Sequence, residues 1–339
     1  MRKLLASVLV TFIFLVVALS SPVGRAQGLR KVKITMPTTA LSMTPVYLAE
    51  AKGYFAQEGL AVERIVTRGG GPDIQALIAG EVEFTFTPGD NVILVYQEGK
   101  PLVLVMSGMN RLIINWAMHK DAAAAKGITD KTPLAEKLKA LKGLTIGVTA
   151  PGALTAHLAA FVVRKAGYVP QEDVRLIPVG AGPTWLAALE NRRVDVALTA
   201  TPFPETAIHR GYAIMFLNNA KGEDRSIPEF LMENLITRPD VIQKDPELVR
   251  KMVRALLRAN QWALSTTPEL VAGALTRFLP EIESPVLLAG VRTILPALTP
   301  DGRTSVRSVR VTQDVLEQAG ILKKRAGPSD VMTNDFLPR

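Results

Sequence analysis

The chain has 339 residues, 48% hydrophobic and 21% charged, which describes a folded protein with one large core or two modest ones and excludes a disordered chain. Its 40 Lys and Arg against 31 Asp and Glu give a formal charge of +9, too small and too scattered for a nucleic-acid footprint. With no cysteine there is no disulfide framework, thiolate metal site or lipid-modified cysteine.

The first residues, "MRKLLASVLVTFIFLVVALSSPVGRAQ", place Arg2 and Lys3 before an apolar run from Leu4 to Leu19 and a small-residue site at Gly24-Arg25-Ala26. That pattern predicts a secretory signal peptide, residues 1–26, cut after Ala26. An uncleaved anchor is the alternative, but the run is short of the roughly 20 apolar residues that span a bilayer. Cleavage removes Arg2, Lys3 and Arg25 and no acid, leaving +6 and a chain free in a periplasm or secreted.

The next elements alternate. Val32 and Ile34 mark a strand; Thr44-Pro45 opens a helix, with the hydroxyl as N-cap and proline at its first position, that closes near Gly53. A strand follows at about Ala61–Val66, then "RGGGPD", a short helix Asp73–Ala79 and the strand Val82–Thr87. A helix Asn91–Gly99, the strand Pro101–Gly108 and the strand-like "NRLIINWAMHKDA" lead out of this unit, and the polar helical "DKTPLAEKLKALKG" feeds the next.

The order then repeats. A strand at Leu144–Val148, a helix from Ala153 to Ala166, a strand at Val174–Pro178, the turn Gly180-Ala181-Gly182-Pro183, a short helix and "VDVALTA" follow in turn. Ile34 and Ile146 lie 112 residues apart, Pro72 and Pro183 lie 111 apart, and Val82-Glu83 and Val194-Asp195 lie 112 apart. A period this long is no solenoid. It predicts two similar βαβαβ lobes with mainly parallel sheets: residues 27–113 and 231–339 form a discontinuous lobe one, and 114–230 form lobe two. Ile114–Lys120 and Leu231–Arg238 both end in a basic residue followed by Asp, and read as a paired two-strand hinge. The remainder is helical, with a helix capped by Asp245-Pro246-Glu247 and another begun by Thr267-Pro268-Glu269. Arg250, Lys251, Arg254 and Arg258 on the first read as a solvated face.

In parallel α/β sheets, ligands sit beyond the carboxyl ends of the strands. Here those ends are the loops Thr38–Thr44, Gly69–Asp73 and Thr87–Asn91 in one lobe, and Thr149–Thr155, Gly180–Thr184 and Thr199–Glu205 in the other. Glycines allow close backbone approach, and the helix starts that follow offer unpaired N–H groups. Pro72-Asp73 stands where a nucleotide-hydrolysing loop needs Lys-Ser/Thr, and the glycines follow the second strand rather than the first, so neither nucleotide fingerprint applies.

Catalytic signals are few. There is no G-x-S-x-G elbow and no H-E-x-x-H, and His119, His157 and His209 lack metal-ligand spacing. His157 reads as a helix-surface residue or a ligand contact, Asp90 and Glu233 as carboxylates that could face the cleft, Trp116 and Trp262 as core, and Phe203 as a ligand contact. No catalytic residue, cofactor or metal is predicted.

The segments "TPVYLAEAKGYFAQEGLAVE", "GGGPDIQALIAGEVEFTFT", "LKGLTIGVTAPGALTAHLAAFVVRKAGY" and "NRRVDVALTATP" resemble the periplasmic solute-binding proteins of ABC importers. The likeness is to the nitrate/sulfonate/taurine and thiamine-pyrimidine-precursor group. It implies a type II periplasmic-binding-protein fold: two βαβ lobes, a two-strand hinge and a ligand cleft between them. It further implies a non-enzymatic monomer that captures a small polar or anionic solute, of sulfonate, taurine or nitrate type, and hands it to an ABC permease in the inner membrane. By position, the resemblance assigns ligand contacts to Thr38, Thr39, Ala40, Gly70, Gly71, Thr87 and Asp90 in lobe one and to Gly152, Ala153, Gly180 and Thr199 in lobe two; Asn110, Thr155 and Phe203 are further candidates at the loop ends. Where relatives have Gly-Ser at the lobe-two helix this chain has Gly152-Ala153, so an anion loses one hydroxyl donor unless Thr155 replaces it. An enzyme acting on a pyrimidine-like compound is a second reading. A third is a ligand-sensing partner of a signalling system.

Overall fold

The computed structural model describes residues 28–67 and 69–338; the predicted signal peptide lies outside the described residues. Among the described residues, ten strands form two five-stranded sheets. The first contains β1 (Arg30–Met36), β2 (Leu60–Val66), β3 (Phe84–Thr87), β4 (Val103–Met109) and β10 (Glu233–Thr237), in the order β2-β1-β3-β10-β4. The second contains β5 (Ile114–His119), β6 (Thr145–Val148), β7 (Arg175–Pro178), β8 (Val196–Ala200) and β9 (Ala213–Leu217), in the order β7-β6-β8-β5-β9.

The repeat seen in the sequence is a repeat of register. Ile34 on β1 sits opposite Phe84 on β3, and Ile146 on β6 sits opposite Val196 on β8; adding 112 to the first pair gives the second. Central strands β3, β5, β8 and β10 are buried along their whole length, polar residues of β3 and β10 included, whereas the edge strands β2 and β7 are partly exposed.

Each sheet also holds one antiparallel strand borrowed from the far side of the crossover. β10 runs antiparallel between β3 and β4, and β5 runs antiparallel between β8 and β9. This corrects the predicted paired hinge: Ile114–Lys120 and Leu231–Arg238 do not pair with each other but lie within different sheets. The crossings are residues 110–113 and 218–232, tied side by side by the Phe230 N–H to the Asn110 carbonyl (2.9 Å) and by Asn219 Nδ2 to the Ile114 carbonyl (2.7 Å).

The helices used below are α1 (Thr44–Ala51), α2 (Gly70–Ala79), α3 (Asp90–Gln97), α4 (Leu154–Lys165), α5 (Pro183–Glu190), α6 (Phe203–His209), α7 (Pro246–Ser265), α8 (Pro268–Leu275), α9 (Ser284–Ile294) and α10 (Val306–Gln318). Two starts differ from expectation. Helix α2 begins at Gly70 rather than Asp73, so its glycines are helical. Thr44 does not cap α1 by accepting; a 3-10 turn over Leu41–Met43 precedes the helix, and the Thr44 hydroxyl donates back to the Leu41 carbonyl at 2.6 Å. The caps of α7 and α8 are as expected, with Asp245 accepting from the Leu248 N–H at 2.9 Å and Thr267 from the Leu270 N–H at 3.4 Å.

Trp116 on β5 and Trp185 on α5 fill the second lobe, with Phe216 6.3 Å from Trp116. In the first lobe α7 lays Leu248, Met252, Val253 and Leu256 against the core around α1, and buried Asn260 donates to the carbonyls of Gly108 (2.9 Å) and Thr299 (3.0 Å), fixing the end of β4. The basic residues on α7 are engaged at the surface: Arg254 pairs with Glu58 and Glu247, and Arg258 donates to Gln57. The lobes are drawn together at several points, including the Leu41 N–H to the Thr201 carbonyl (3.1 Å) and Arg164 Nε on α4 to the Ala319 carbonyl at the end of α10 (3.1 Å). Gly290 on α9 lies against Leu41, Thr201 and Pro202.

Candidate functional site

The strand tips of the two sheets face one another across a small cavity of about 40 Å³. The first lobe contributes Pro37, Thr38, Ser42, Gly70, Pro88 and Glu233; the second contributes Ile114, Thr149, Ala153, Leu154, Thr155, Thr199 and Ala200. Both helices that start at the cavity, α2 and α4, lack a side-chain cap, so their leading N–H groups carry partial positive charge toward it. Gly70 lets the backbone come close to β3 and α3, since a Cβ there would lie 3.1 Å from Asn91 Nδ2 and 3.3 Å from Thr87 Oγ1, a tight fit.

Five of the predicted contacts line the cavity: Thr38, Gly70, Ala153, Thr155 and Thr199. Ala40, Thr87, Asp90 and Phe203 are buried close by without lining it. Thr39 lies instead in a second depression, shared with Thr38, Ala181, Pro183 and Thr184 beside the second glycine turn, and a Cβ on Gly71 would meet the Pro151 carbonyl at 3.8 Å. Asn110, Gly152 and Gly180 are not among the lining residues. Asn110 is used by the crossing, where its carbonyl accepts from Phe230. Gly152 and Gly180 have φ of +71° and +80° and serve as turns that L side chains would strain. The Thr155 hydroxyl is also partly committed, accepting from the Thr149 N–H at 2.9 Å and sharing a bond with its hydroxyl at 2.7 Å.

Ser42, Pro37, Pro88, Ile114, Thr149, Leu154 and Ala200 were not singled out. Ser42 falls inside the predicted first loop, and its signal was only that position; Ile114 was assigned to the hinge.

Beneath the first-lobe wall lies a set of buried acids. Asp73 on α2 is fully buried, and burial pushes its carboxyl up to about 7, opposed by the hydroxyls of Thr67 (2.6 Å), Thr87 and Thr35. Glu233, 1% exposed at the start of β10, is held well above the usual carboxylate range by burial; the Ser42 hydroxyl opposes this, and the charges of Asp73 and Asp90 add to it. Asp90, at the start of α3, meets Nδ1 of His157 on α4 at 2.7 Å, with both side chains buried. The reading of His157 as a helix-surface residue is therefore corrected: it reaches across to the other lobe. The Ser42 and Thr87 hydroxyls sit near the carboxyls they favour without completing a hydrogen bond, and buried Thr38 Oγ1 and Glu233 Oε2 likewise have no partner. Among the described residues no group of three or more His, Cys, Asp or Glu could hold a metal ion.

A pair of α/β lobes with this strand order, joined by two crossings around a cavity at opposed strand tips, is the periplasmic-binding-protein fold. The nitrate-binding protein NrtA of Synechocystis PCC 6803 superposes with a TM-score of 0.73 at 16% identity, over 91% of this chain and 87% of that one. The NMT1/THI5-like family model matches residues 40–269, and the chain belongs to that family. It is 27% identical over 321 residues to the riboflavin-binding protein RibY of Chloroflexus aurantiacus, covering 88% of this chain and 83% of that protein. It is 24% identical over 273 residues to a formylaminopyrimidine-binding protein of Halalkalibacterium halodurans, covering 80% and 77%. The relatives are named as binding proteins.

Proposed function

We propose that the protein is an extracytoplasmic, monomeric, non-enzymatic receptor that closes on one small polar solute and delivers it to an ABC permease. The observation that carries this reading is the cavity itself, walled by both lobes and bordered by unpaired buried hydroxyls that a solute's polar groups would satisfy. Thr38, Gly70, Ala153, Thr155 and Thr199 are the proposed contacts from the predicted set, joined by Ser42 and Glu233. The names of the relatives support capture of an organic or inorganic solute, and the predicted signal peptide supports export to the periplasm.

The test is a solute panel read by thermal melting and small-angle scattering, with no permease present. A solute at one hundred times its dissociation constant adds about 2.7 kcal/mol and raises the melting temperature. Stabilisation with closure and with the solute recovered unchanged supports a receptor. Chemical turnover of a bound solute refutes it and favours the enzyme reading.

A further inference from the structure

We propose that the depression between the two crossings is a second binding site, separate from the cleft, for a small anion carrying two or more negative charges. The site stands whatever the cleft binds.

The depression holds about 260 Å³. Arg111 and Leu112 wall it from the first crossing, and Lys221, Asp224, Arg225 and Ile227 from the second. Arg111, Lys221 and Arg225 are exposed, and among the described residues no ion pair or side-chain hydrogen bond engages them. The acids around them are taken. Asp224 accepts from the Lys165 ammonium at 2.7 Å and from the Ser226 hydroxyl at 2.6 Å, and Glu223 accepts from buried Lys137 at 2.8 Å. The charge of Glu205 on α6 reaches Lys221, but its carboxyl accepts from Asn115 (2.7 Å) and Thr201 (3.2 Å) rather than from the lysine.

With Asp224 and Glu223 offset by their own lysines, the three remaining cations leave this concave surface positive. A concave wall of one sign focuses its field, and the buried apolar side chains of Leu112 and Ile227 keep water from part of it. An anion of one charge offsets one cation. An anion of two or more spans the crossings, and the arginine forks suit paired phosphate or carboxylate oxygens. Concavity favours a small molecule over a flat acidic protein face. Position gives occupancy a mechanical effect. Phe230 to Asn110 and Asn219 to Ile114 already tie the crossings, and an anion bridging Arg111 to Lys221 or Arg225 adds another tie across the segments that join the lobes.

The test titrates pyrophosphate, citrate and acetate calorimetrically into the protein at about 0.1 M salt, where distant exposed charges are screened. Pyrophosphate or citrate should bind once per chain with a dissociation constant below about 1 mM, and acetate about tenfold or more weakly. Arg111→Gln combined with Arg225→Gln should weaken the polyanion about tenfold or more. Lys323→Gln combined with Lys324→Gln removes the same charge from exposed positions outside the depression and should leave affinity within about twofold. Melting curves check that both variants fold, and hydrogen exchange should slow across residues 219–228 when the polyanion is bound. Four results would each overturn the proposal: neither polyanion binds, acetate binds as tightly, both double variants weaken binding equally, or binding leaves exchange at 219–228 unchanged. The receptor reading fails separately, only if no solute of any kind closes the cleft.

Discussion

Replacing Asp73 by Asn isolates the cost of burying one carboxyl beneath the cleft. Its pKa rises from 3.8 to about 7 on folding, chiefly through burial. The folded state therefore holds a proton that the unfolded state releases between those values, and stability from this group is complete below about pH 4 and declines as pH climbs to about 7. A shift of about three units corresponds to roughly 4 kcal/mol, an upper bound because the surroundings relax around the charge. Asn keeps the acceptor for the Thr67 hydroxyl and places an amide where Oδ2 has no partner. D73N should then match the parent protein near pH 4 and exceed it by about 1–4 kcal/mol at pH 8, measured by urea unfolding at pH 4, 6 and 8 with slopes compared. Glu233 titrates in the same sense and leaves a residual slope in D73N. If both proteins lose stability in parallel over this range, Asp73 is not charged at a cost and the reasoning fails.

Removing the imidazole in His157→Ala leaves the buried Asp90 side chain without its cross-lobe hydrogen-bond partner, which costs about 1–3 kcal/mol; scattering should report a larger radius of gyration, and an unchanged profile would count against a cross-lobe role. Gly108→Ala puts a Cβ 2.4 Å from Phe86 Cζ and should cost about 1–3 kcal/mol in thermal unfolding, partly recovered by Phe86→Leu; a neutral G108A would contradict the tight fit. Arg325→Ala removes exposed contacts to Asp314 and Glu317, so its melting curve should move by less than about 1 kcal/mol, and a larger loss would mean the network is worth more than exposed pairs usually are.

The architecture was legible because each lobe writes the same short-range pattern. Ile34 and Ile146 occupy matching strands, and the 112-residue spacing holds to the level of individual ladder partners. The exchange of β5 and β10 was not legible, since both strands look alike in sequence and their neighbours are decided by long-range pairing. At the cavity, the lining residues Thr38, Gly70 and Thr199 sit at strand tips and helix starts, where their place in the chain and the family resemblance both put candidate contacts. Asn110 misled because a polar residue after a strand serves a crossing as well as a cleft. The Asp90–His157 contact escaped because it exists only once two lobes approach, and no local periodicity encodes that distance. Glu233 was seen as able to face the cleft, but its burial depth is a property of the assembled sheet.

The interleaving of β10 between β3 and β4 has a consequence for biogenesis. A nascent chain that has emerged only as far as residue 230 has all the strands of the second sheet but leaves β3 and β4 with a gap between them. The half made first is thus finished last, and its raw strand edges must be shielded until Glu233–Thr237 arrives.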